Sequence, residues 1–428
     1  MARITLENVS KTFGRVKALD GVSLDVKDKE FFVLFGPAGA GKTTILNCIA
    51  GIAMPDEGVV KFDGEVMNLV ETAKRNVAMV FENYALYPQM TVYDNMASPL
   101  RSKLYRENEV VIRERVTAAA KMMKMENLLE RLPSQLSNGQ KQRVAMGRAL
   151  VRTPNVFLMD EPLAHLDAKL RNAMRTELKE MQANFGTTSI YVTHDFMEAM
   201  SLGDRIAIVN KGKIVQVGTP DDIYYLARNE FVAQLMGDPE INLLSGVLKK
   251  SGETFALVTE GSEFVLPPDG QTSQLTQRDS GAALARSGCL CPEGMSEQDA
   301  GRLAEAGPLM EKLAPYEGRA VDIGIRPQHV KYSFEDRPGY RPYQVYSYES
   351  IGNKSVIEAY SGNIQVRMIA PNGLTVKIDQ SIYVDFHLDH TMFFDGETRE
   401  FIGCYNEAAI RALSAGGEAA FPAGKEGA

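Results

Sequence analysis

Residues 36–43 read Gly-Pro-Ala-Gly-Ala-Gly-Lys-Thr, directly after the apolar run Phe31-Phe32-Val33-Leu34-Phe35. The spacing of Gly36, Gly41, Lys42 and Thr43 fits G-x-x-x-x-G-K-[ST], a loop whose backbone amides face a phosphate. Glycine lets the chain turn tightly enough for successive N–H groups to point at one anion. Thr44-Ile45-Leu46-Asn47 then opens a helix, and its positive end faces the same anion. In this arrangement Pro37, Ala38, Gly39 and Ala40 supply backbone, Lys42 reaches the terminal phosphates, and the Thr43 hydroxyl sits on Mg²⁺. A plain glycine-rich turn is the alternative, and the flanking strand and helix favour the phosphate loop.

Further stretches carry acids, a histidine and a second helix start. Val156-Phe157-Leu158-Met159-Asp160-Glu161 reads as a buried strand ending in two acids. Asp160 can hold Mg²⁺ through water there, and Glu161 can polarise an attacking water. In isolation, a solvated acidic turn is common. Ile190-Tyr191-Val192-Thr193-His194 is another strand end, presenting His194 toward a γ-phosphate. A lone histidine more often makes a structural bond. Leu136-Ser137-Asn138-Gly139-Gln140 opens a helix running through Val144, Met146, Ala149 and Leu150, a second phosphate-facing terminus. Leu163-Ala164-His165-Leu166-Asp167 follows the acid pair. Each signal is moderate alone; their order and spacing make one constellation.

The elements that must position these groups follow from the pattern. At 428 residues the chain has room for two or three domains. Short β-rich runs at Phe31–Phe35, Val77–Phe81, Val156–Met159, Ser189–Val192 and Arg205–Val209 alternate with helical stretches. That alternation predicts an α/β domain, a parallel sheet covered by helices. In the helical stretch 107–131, Met122, Met123 and Met125 are expected to pack into the core. After Gly237-Asp238-Pro239 the texture changes to short strands and turns, a β-rich second domain. Within it, about 268–318 is polar and poor in strand signals, an inserted excursion with a short helix expected from Ser296. Asp299 would complete its capping box. The tail 406–428 is expected to be disordered.

Composition narrows the function. No stretch approaches a membrane span, and the N-terminus lacks the apolar region of a signal peptide, so a cytosolic location is expected. Cys48, Cys289, Cys291 and Cys404 read as reduced and free of metal. A net charge of −8 leaves no footprint for nucleic acid, and any membrane contact must run through a protein partner.

With these motifs in this order, the sequence resembles the ATP-binding cassette ATPases. Residues 36–43 are similar to their Walker A loop, and 156–162 to the Walker B strand with its catalytic glutamate. Leu136–Gln140 resembles the signature motif, Leu163–Asp167 the D-loop, and Thr193-His194-Asp195 the switch histidine. Phe13 stands where the family places an aromatic that stacks on adenine. The resemblance covers residues 2–236. It extends into 237–246 and 322–330, which are similar to the oligonucleotide-fold-like (TOBE) regulatory domain of sugar-importer ATPases. The maltose and glycerol-3-phosphate importer group is the nearest match, strengthened by Asn83–Met96, the segment that meets membrane subunits in that group.

The resemblance implies a nucleotide-binding domain at 1–236, with a helical subdomain at about 90–153, and a TOBE-like domain at 237–405. It implies ATP and Mg²⁺ as cofactors, Glu161, His194 and Lys42 as catalytic, and Thr43, Glu82 and Asp160 around the metal. The rest of the ATP site would come from 36–44, Phe13, Ser137–Gln140 and Asp167. Two cassettes would sandwich two ATP molecules, each phosphate loop facing the other chain's signature helix. Two membrane-spanning permeases and an extracytoplasmic solute-binding protein would complete an importer at the inner face of the cell membrane.

Two positions depart from the family pattern. Glu82 stands where glutamine is usual, so an acceptor-only carboxylate replaces an amide that both donates and accepts. Asn138 replaces the first signature glycine, and asparagine tolerates a left-handed backbone better than most residues. Ala38 and Ala40 replace common serines without removing backbone donors. A non-transport cassette protein and a degenerate regulatory subunit of a heterodimer are the competing readings. The usual coiled coil or zinc insertion is missing for the first, and Lys42, Glu161 and His194 argue against the second.

Overall fold

In a computed structural model of the chain, the described residues are 2–405 apart from 153, 165, 167, 253, 260–261, 268–307, 353 and 387–390. The chain divides into two compact units, Met1–Pro220 and Asp221–Ala428.

The first unit opens with the hairpin β1 (Ile4–Phe13) and β2 (Val16–Val26). β3 (Phe31–Phe35) leads through the glycine loop into α1 (Lys42–Ala50). β4 (Glu57–Phe62) then returns to β1, followed by β5 (Glu65–Val66), giving an antiparallel sheet of order β2-β1-β4-β5. β6 (Val77–Val80) is followed by α2 (Val92–Ala97), α3 (Glu109–Met122) and α4 (Asn138–Leu150). The chain continues through β7 (Val156–Asp160), α5 (Ala168–Phe185), β8 (Thr188–Thr193), α6 (Phe196–Leu202), β9 (Arg205–Asn210) and β10 (Lys213–Gly218). Their sheet has the order β10-β9-β3-β8-β7-β6, parallel except for β10.

The five β-rich runs read from sequence are thus the five parallel strands. β3, β7 and β8 are buried at every residue, as strands covered on both faces must be. Beside the expected parallel sheet stands an antiparallel one that the alternation did not announce. β1 mixes buried and exposed residues, the mark of a one-faced sheet, and Phe13-Gly14-Arg15-Val16 is too short for a crossover. One apolar core joins both sheets to α1 through Ile4, Leu6, Phe32, Leu34, Ile45, Ile49, Val60 and Leu158. In the helical stretch Met123 and Met125 are buried as expected, while Met122 is exposed.

The position of α1 depends on a buried cation. Arg75, 4% exposed, donates to the carbonyls of Cys48 and Ile49 at 2.9 Å each, at the end of α1. It also donates to Val70 at 2.9 Å and Met67 at 2.6 Å. A positive group at the negative end of a helix satisfies carbonyls that have no partner inside it.

The second unit starts with α7 (Pro220–Tyr225) and α8 (Glu230–Leu235), then β11 (Asn242–Ser251), β12 (Thr254–Thr259) and β13 (Ser262–Val265). After α9 (Leu309–Leu313) come β14 (Ala320–Ile325), β15 (Val330–Ser333), β16 (Arg341–Ile351), β17 (Lys354–Ser361) and β18 (Ile364–Ala370). β19 (Ser381–Phe386), β20 (Met392–Asp395) and β21 (Phe401–Cys404) complete it. Two antiparallel sheets result, β13-β12-β11-β14-β20-β21 and β15-β19-β16-β17-β18, around a shared apolar core.

The unit boundary falls ahead of the texture change at Gly237. Arg326, 2% exposed, donates to the carbonyls of Tyr224 and Met236 and lies 3.6 Å from the Tyr224 ring centroid. This clamp packs α7 and α8 with the strands. Arg399 likewise bridges Glu230 on α8 to Asp322 on β14. The polar excursion expected to reach Gly318 ends earlier, because Leu309 and Leu313, one helical turn apart, are buried in the core. The helix expected from Ser296, with Asp299, and the tail 406–428 lie outside the described residues. Cys48 and Cys404 are buried thiols in no disulfide among the described residues, and Cys289 and Cys291 also lie outside the described residues. Among the described residues, no helix is long and apolar enough to cross a membrane.

Replacing Arg75 by methionine takes the guanidinium from the Ile49 carbonyl and leaves the Cys48 carbonyl with the Gly51 N–H at 3.3 Å. Urea unfolding of Arg75→Met should show a loss of about 3 kcal/mol. An unchanged midpoint would contradict the capping role.

Candidate functional site

Three adjacent strands bring the sequence-distant groups together. In the order β3-β8-β7, the glycine loop leaves β3, His194 follows β8, and Asp160 and Glu161 end β7. All three strands run the same way, so these groups share the carboxyl edge of the sheet, where open α/β sheets bind ligands.

The loop conformation needs its glycines. Gly41 caps α1 at φ 107°, and a Cβ there would stand 2.7 Å from the Ala18 carbonyl oxygen. At Gly36 a Cβ would stand 2.2 Å from the Val209 carbonyl oxygen. Lys42 is 5% exposed, and its Nζ donates to the carbonyls of Gly36 at 2.9 Å and Pro37 at 3.0 Å. Its ammonium also lies 3.8 Å from Glu161 Oε1. Burial pushes the Lys42 ammonium down from its ordinary value, while Glu161 and Asp160 oppose that shift.

The two consecutive acids face different partners. The Thr43 hydroxyl donates to Asp160 Oδ1 at 3.0 Å. Glu161 turns into the left-handed region at φ 44°, its N–H held by the Val192 carbonyl at 3.1 Å. Its Oε2 lies 2.8 Å from His194 Nδ1, so Nδ1 carries the proton and Nε2 is left for another partner. Burial raises the Asp160 carboxyl; the Thr43 bond opposes this, and the charges of Glu161 and Glu82 add to it. Glu82, exposed, is therefore close enough to act on the Asp160 corner.

The remaining candidates are placed as follows. Ser137 caps α4, accepting from the Gln140 N–H at 3.3 Å while the Gln140 side chain accepts from the Ser137 N–H at 3.0 Å. This is a closed capping box. Asn138 is the first residue of α4 and is not among the residues with positive φ. The left-handed tolerance expected of it is not called on, because a capped helix start takes any ordinary residue. Among the described residues, no hydrogen bond or ion pair joins Ser137–Gln140 to Lys42, Thr43, Asp160 or Glu161. Phe13 is half exposed at the end of β1, with Lys11 Nζ 5.4 Å from its ring centroid. Asp167 lies outside the described residues.

The sequence reading missed the network behind His194. Asp195 caps α6 by accepting from the Glu198 N–H at 3.0 Å, and Glu198 accepts from Thr193 at 2.6 Å and Tyr191 at 2.9 Å. Arg171 on α5 donates to Asp195 at 3.0 Å. Burial raises the Glu198 carboxyl. The spacing Asp195-x-x-Glu198 was the available signal, that of a capped helix start.

The donor set fits a metal that arrives with phosphates. Among the described residues, no three His, Cys, Asp or Glu side chains form a metal cage. Thr43 and Asp160 instead offer an open oxygen pair, and Mg²⁺ takes its other ligands from water and substrate phosphates. A carboxylate crowded by Glu161 and Glu82 is one that a cation would relieve.

The ABC transporter family profile matches residues 19–164. A relative from Bacillus subtilis (strain 168), an uncharacterised ABC transporter ATP-binding protein (YurJ), is 38% identical over 94% of this chain and 100% of its own length. The chain belongs to the ABC transporter ATPases. It is thus an ATP-hydrolysing subunit with the phosphate-loop cassette fold. Two other relatives carry a transported solute in their names. The sn-glycerol-3-phosphate import ATP-binding protein UgpC of Paraburkholderia xenovorans (strain LB400) is 38% identical over 92% of this chain and 98% of its own. The trehalose/maltose import ATP-binding protein MalK of Thermococcus litoralis is 50% identical over 59% of this chain and 69% of its own.

A raised carboxyl contributes stability below its unfolded value and loses that contribution as pH rises through its folded value. At neutral pH the charge of Asp160 therefore works against the fold. In EDTA without nucleotide, Asp160→Asn should melt higher than wild type at pH 7.5, with a smaller gain at pH 5. A lower melting temperature at pH 7.5 would contradict this.

Proposed function

We propose that this chain powers uptake of a sugar, polyol or glycerophosphate-type solute through two membrane-spanning permeases, at the inner face of the cell membrane. An extracytoplasmic binding protein delivers the solute. The reading is carried by the charged corner at the strand ends, where Lys42, Glu161 and His194 meet within 3.8 Å or less of a neighbour. Its solute class follows the names of the relatives.

ATP is the substrate. Its phosphates take the amides of 36–44, Phe13 stacks on adenine, and Ser137–Gln140 with Asp167 complete the site from a second cassette. Mg²⁺, held through Thr43 and Asp160 with Glu82 beside them, supplies charge compensation to the phosphates. Both carboxylate oxygens of Glu161 face a partner, Oε2 toward His194 and Oε1 toward Lys42. A γ-phosphate offers Lys42 a stronger partner, which frees Oε1 to accept a proton from water. That water attacks the phosphorus and ADP leaves, while His194, protonated at both ring nitrogens, donates Nε2–H to the γ-phosphate and keeps Nδ1–H on Glu161. The TOBE-like domain, 237–405 with its insertion at about 268–318, performs no chemistry and serves dimerisation or regulation.

Two copies of this chain form the dimer in this reading. Asn138 begins an ordinary capped helix, so it places no strain on a site that also holds Glu82. The alternative is pairing with an orthodox second ATPase, which would separate Glu82 and Asn138 into different sites.

Glu161→Gln should lower ATP turnover by a factor on the order of 10²–10⁴ and trap an ATP-bound dimer, read by steady-state kinetics and gel filtration. Unchanged turnover would remove Glu161 from the base role. Co-expression with the permeases, with and without any neighbouring cassette, should purify an active complex holding two copies of this chain. Activity that depends on the second cassette would establish the heterodimer instead.

A further inference from the structure

The helix that begins with the signature residues also carries Arg148, near its other end. From α4 its guanidinium donates to the Ala85 carbonyl at 2.7 Å and the Tyr84 carbonyl at 3.0 Å. The same group lies 5.6 Å from the Tyr87 ring centroid. The two accepted carbonyls belong to consecutive residues in the left-handed region, Tyr84 at φ 62° and Ala85 at φ 46°. Neither is glycine, so this turn persists only where its surroundings hold it. Within the turn, the Tyr84 N–H reaches Phe81 at 2.9 Å and the Ala85 N–H reaches Asn83 at 2.8 Å. The Tyr84–Phe81 bond closes a tight turn around Glu82, which follows β6 by two residues, and β6 pairs in parallel with β7 so that Val80 stands beside Met159, the residue before Asp160.

We infer that Arg148 is a positioning residue for ATP hydrolysis: its two bonds hold the strained Tyr84–Ala85 turn and thereby fix Glu82 beside the Asp160–Thr43 corner. The inference rests on the ATPase reading of that corner. A guanidinium suits the task because its planar fork bonds two neighbouring carbonyls at once, which a lysine point charge does not reproduce. Burial lowers the Arg148 guanidinium, so the carbonyls replace water around it. Arg148 lies on α4, the helix that Ser137 caps. The turn carrying Glu82 is thus tied to the residues that would face the partner chain's nucleotide.

The test uses the full chain with Arg148→Met, Arg148→Lys, Ala85→Gly and the double variant Arg148→Met/Ala85→Gly. Hydrogen exchange of residues 82–87 and of 36–44 is measured without nucleotide, and kcat and KM for ATP with Mg²⁺. Arg148→Met should speed exchange across 82–87, leave 36–44 unchanged, and lower kcat about tenfold with little change in KM. Arg148→Lys should behave like Arg148→Met. Glycine accepts positive φ without a steric penalty, so Ala85→Gly should recover much of the lost kcat in the double variant. Unchanged exchange across 82–87 in Arg148→Met would overturn the inference. So would a loss of kcat that accompanies a lower melting temperature and is not recovered by Ala85→Gly, since that is the mark of a merely structural residue. A wild-type chain that hydrolyses no ATP would sink the ATPase reading, while the exchange data would still decide whether Arg148 holds the turn.

Discussion

Everything in the first unit is arranged around one buried ammonium. Lys42 sits among the carbonyls of Gly36 and Pro37, with Glu161 Oε1 at 3.8 Å, and burial already depresses its ordinary value. A charge taken from water is tolerated only with close partners, and a loosely made pair does not repay the desolvation. The corner is therefore poised rather than satisfied. In the proposed reading, a polyphosphate gives Lys42 the negative partner that two carbonyls and one carboxylate at 3.8 Å only approximate.

The acids meet the same constraint from the other side. Asp160 and Glu161 are neighbours in sequence, and in a continuing strand they would point to opposite faces of the sheet. The left-handed backbone of Glu161, φ 44°, sends its carboxylate toward His194 while Asp160 keeps Thr43. Local strain of this kind survives where packing enforces it, and β7 and β8 are buried at every position around it. The raised Asp160 carboxyl costs the fold some stability at neutral pH, and in the proposed reading a cation held with phosphates offsets that cost. Glu82 deepens that bias, which gives the departure from the usual glutamine a physical meaning. Asn138, by contrast, occupies an ordinary helix start and perturbs nothing in its own chain.

Cations at helix ends and turns recur as the means of fixing the scaffold. Arg75 closes the far end of α1, Arg171 braces the turn behind His194, and Arg326 gathers α7 and α8 onto the strands of the second unit. Each is at least partly buried and bonded to backbone carbonyls or carboxylates, where the planar fork of arginine has more to bond than lysine would.

The chemistry was legible in the residues because it depends on short, ordered stretches. The phosphate loop, the acid pair at a strand end and the capped start of α4 each lie within a few consecutive residues, and the five parallel strands were visible as apolar runs. Composition likewise showed where β-rich texture begins, though not that Arg326 draws α7 and α8 into the same unit. Pattern alone said little about the antiparallel sheet, since β1 and β2 carry the same apolar residues as other strands and differ in which faces are covered. Leu309 and Leu313 looked like part of a polar excursion because two leucines say nothing about the core they will meet. The roles of Arg75, Arg148 and Arg171 were illegible for one reason. Beside near carbonyls such as Val70 and Met67, an arginine's partners here include carbonyls and acids 24 to 64 residues away, and every residue offers a carbonyl. Local sequence determined which groups can do chemistry; the order β3-β8-β7 decided that they do it together, because only strand pairing sets which distant strand ends become neighbours.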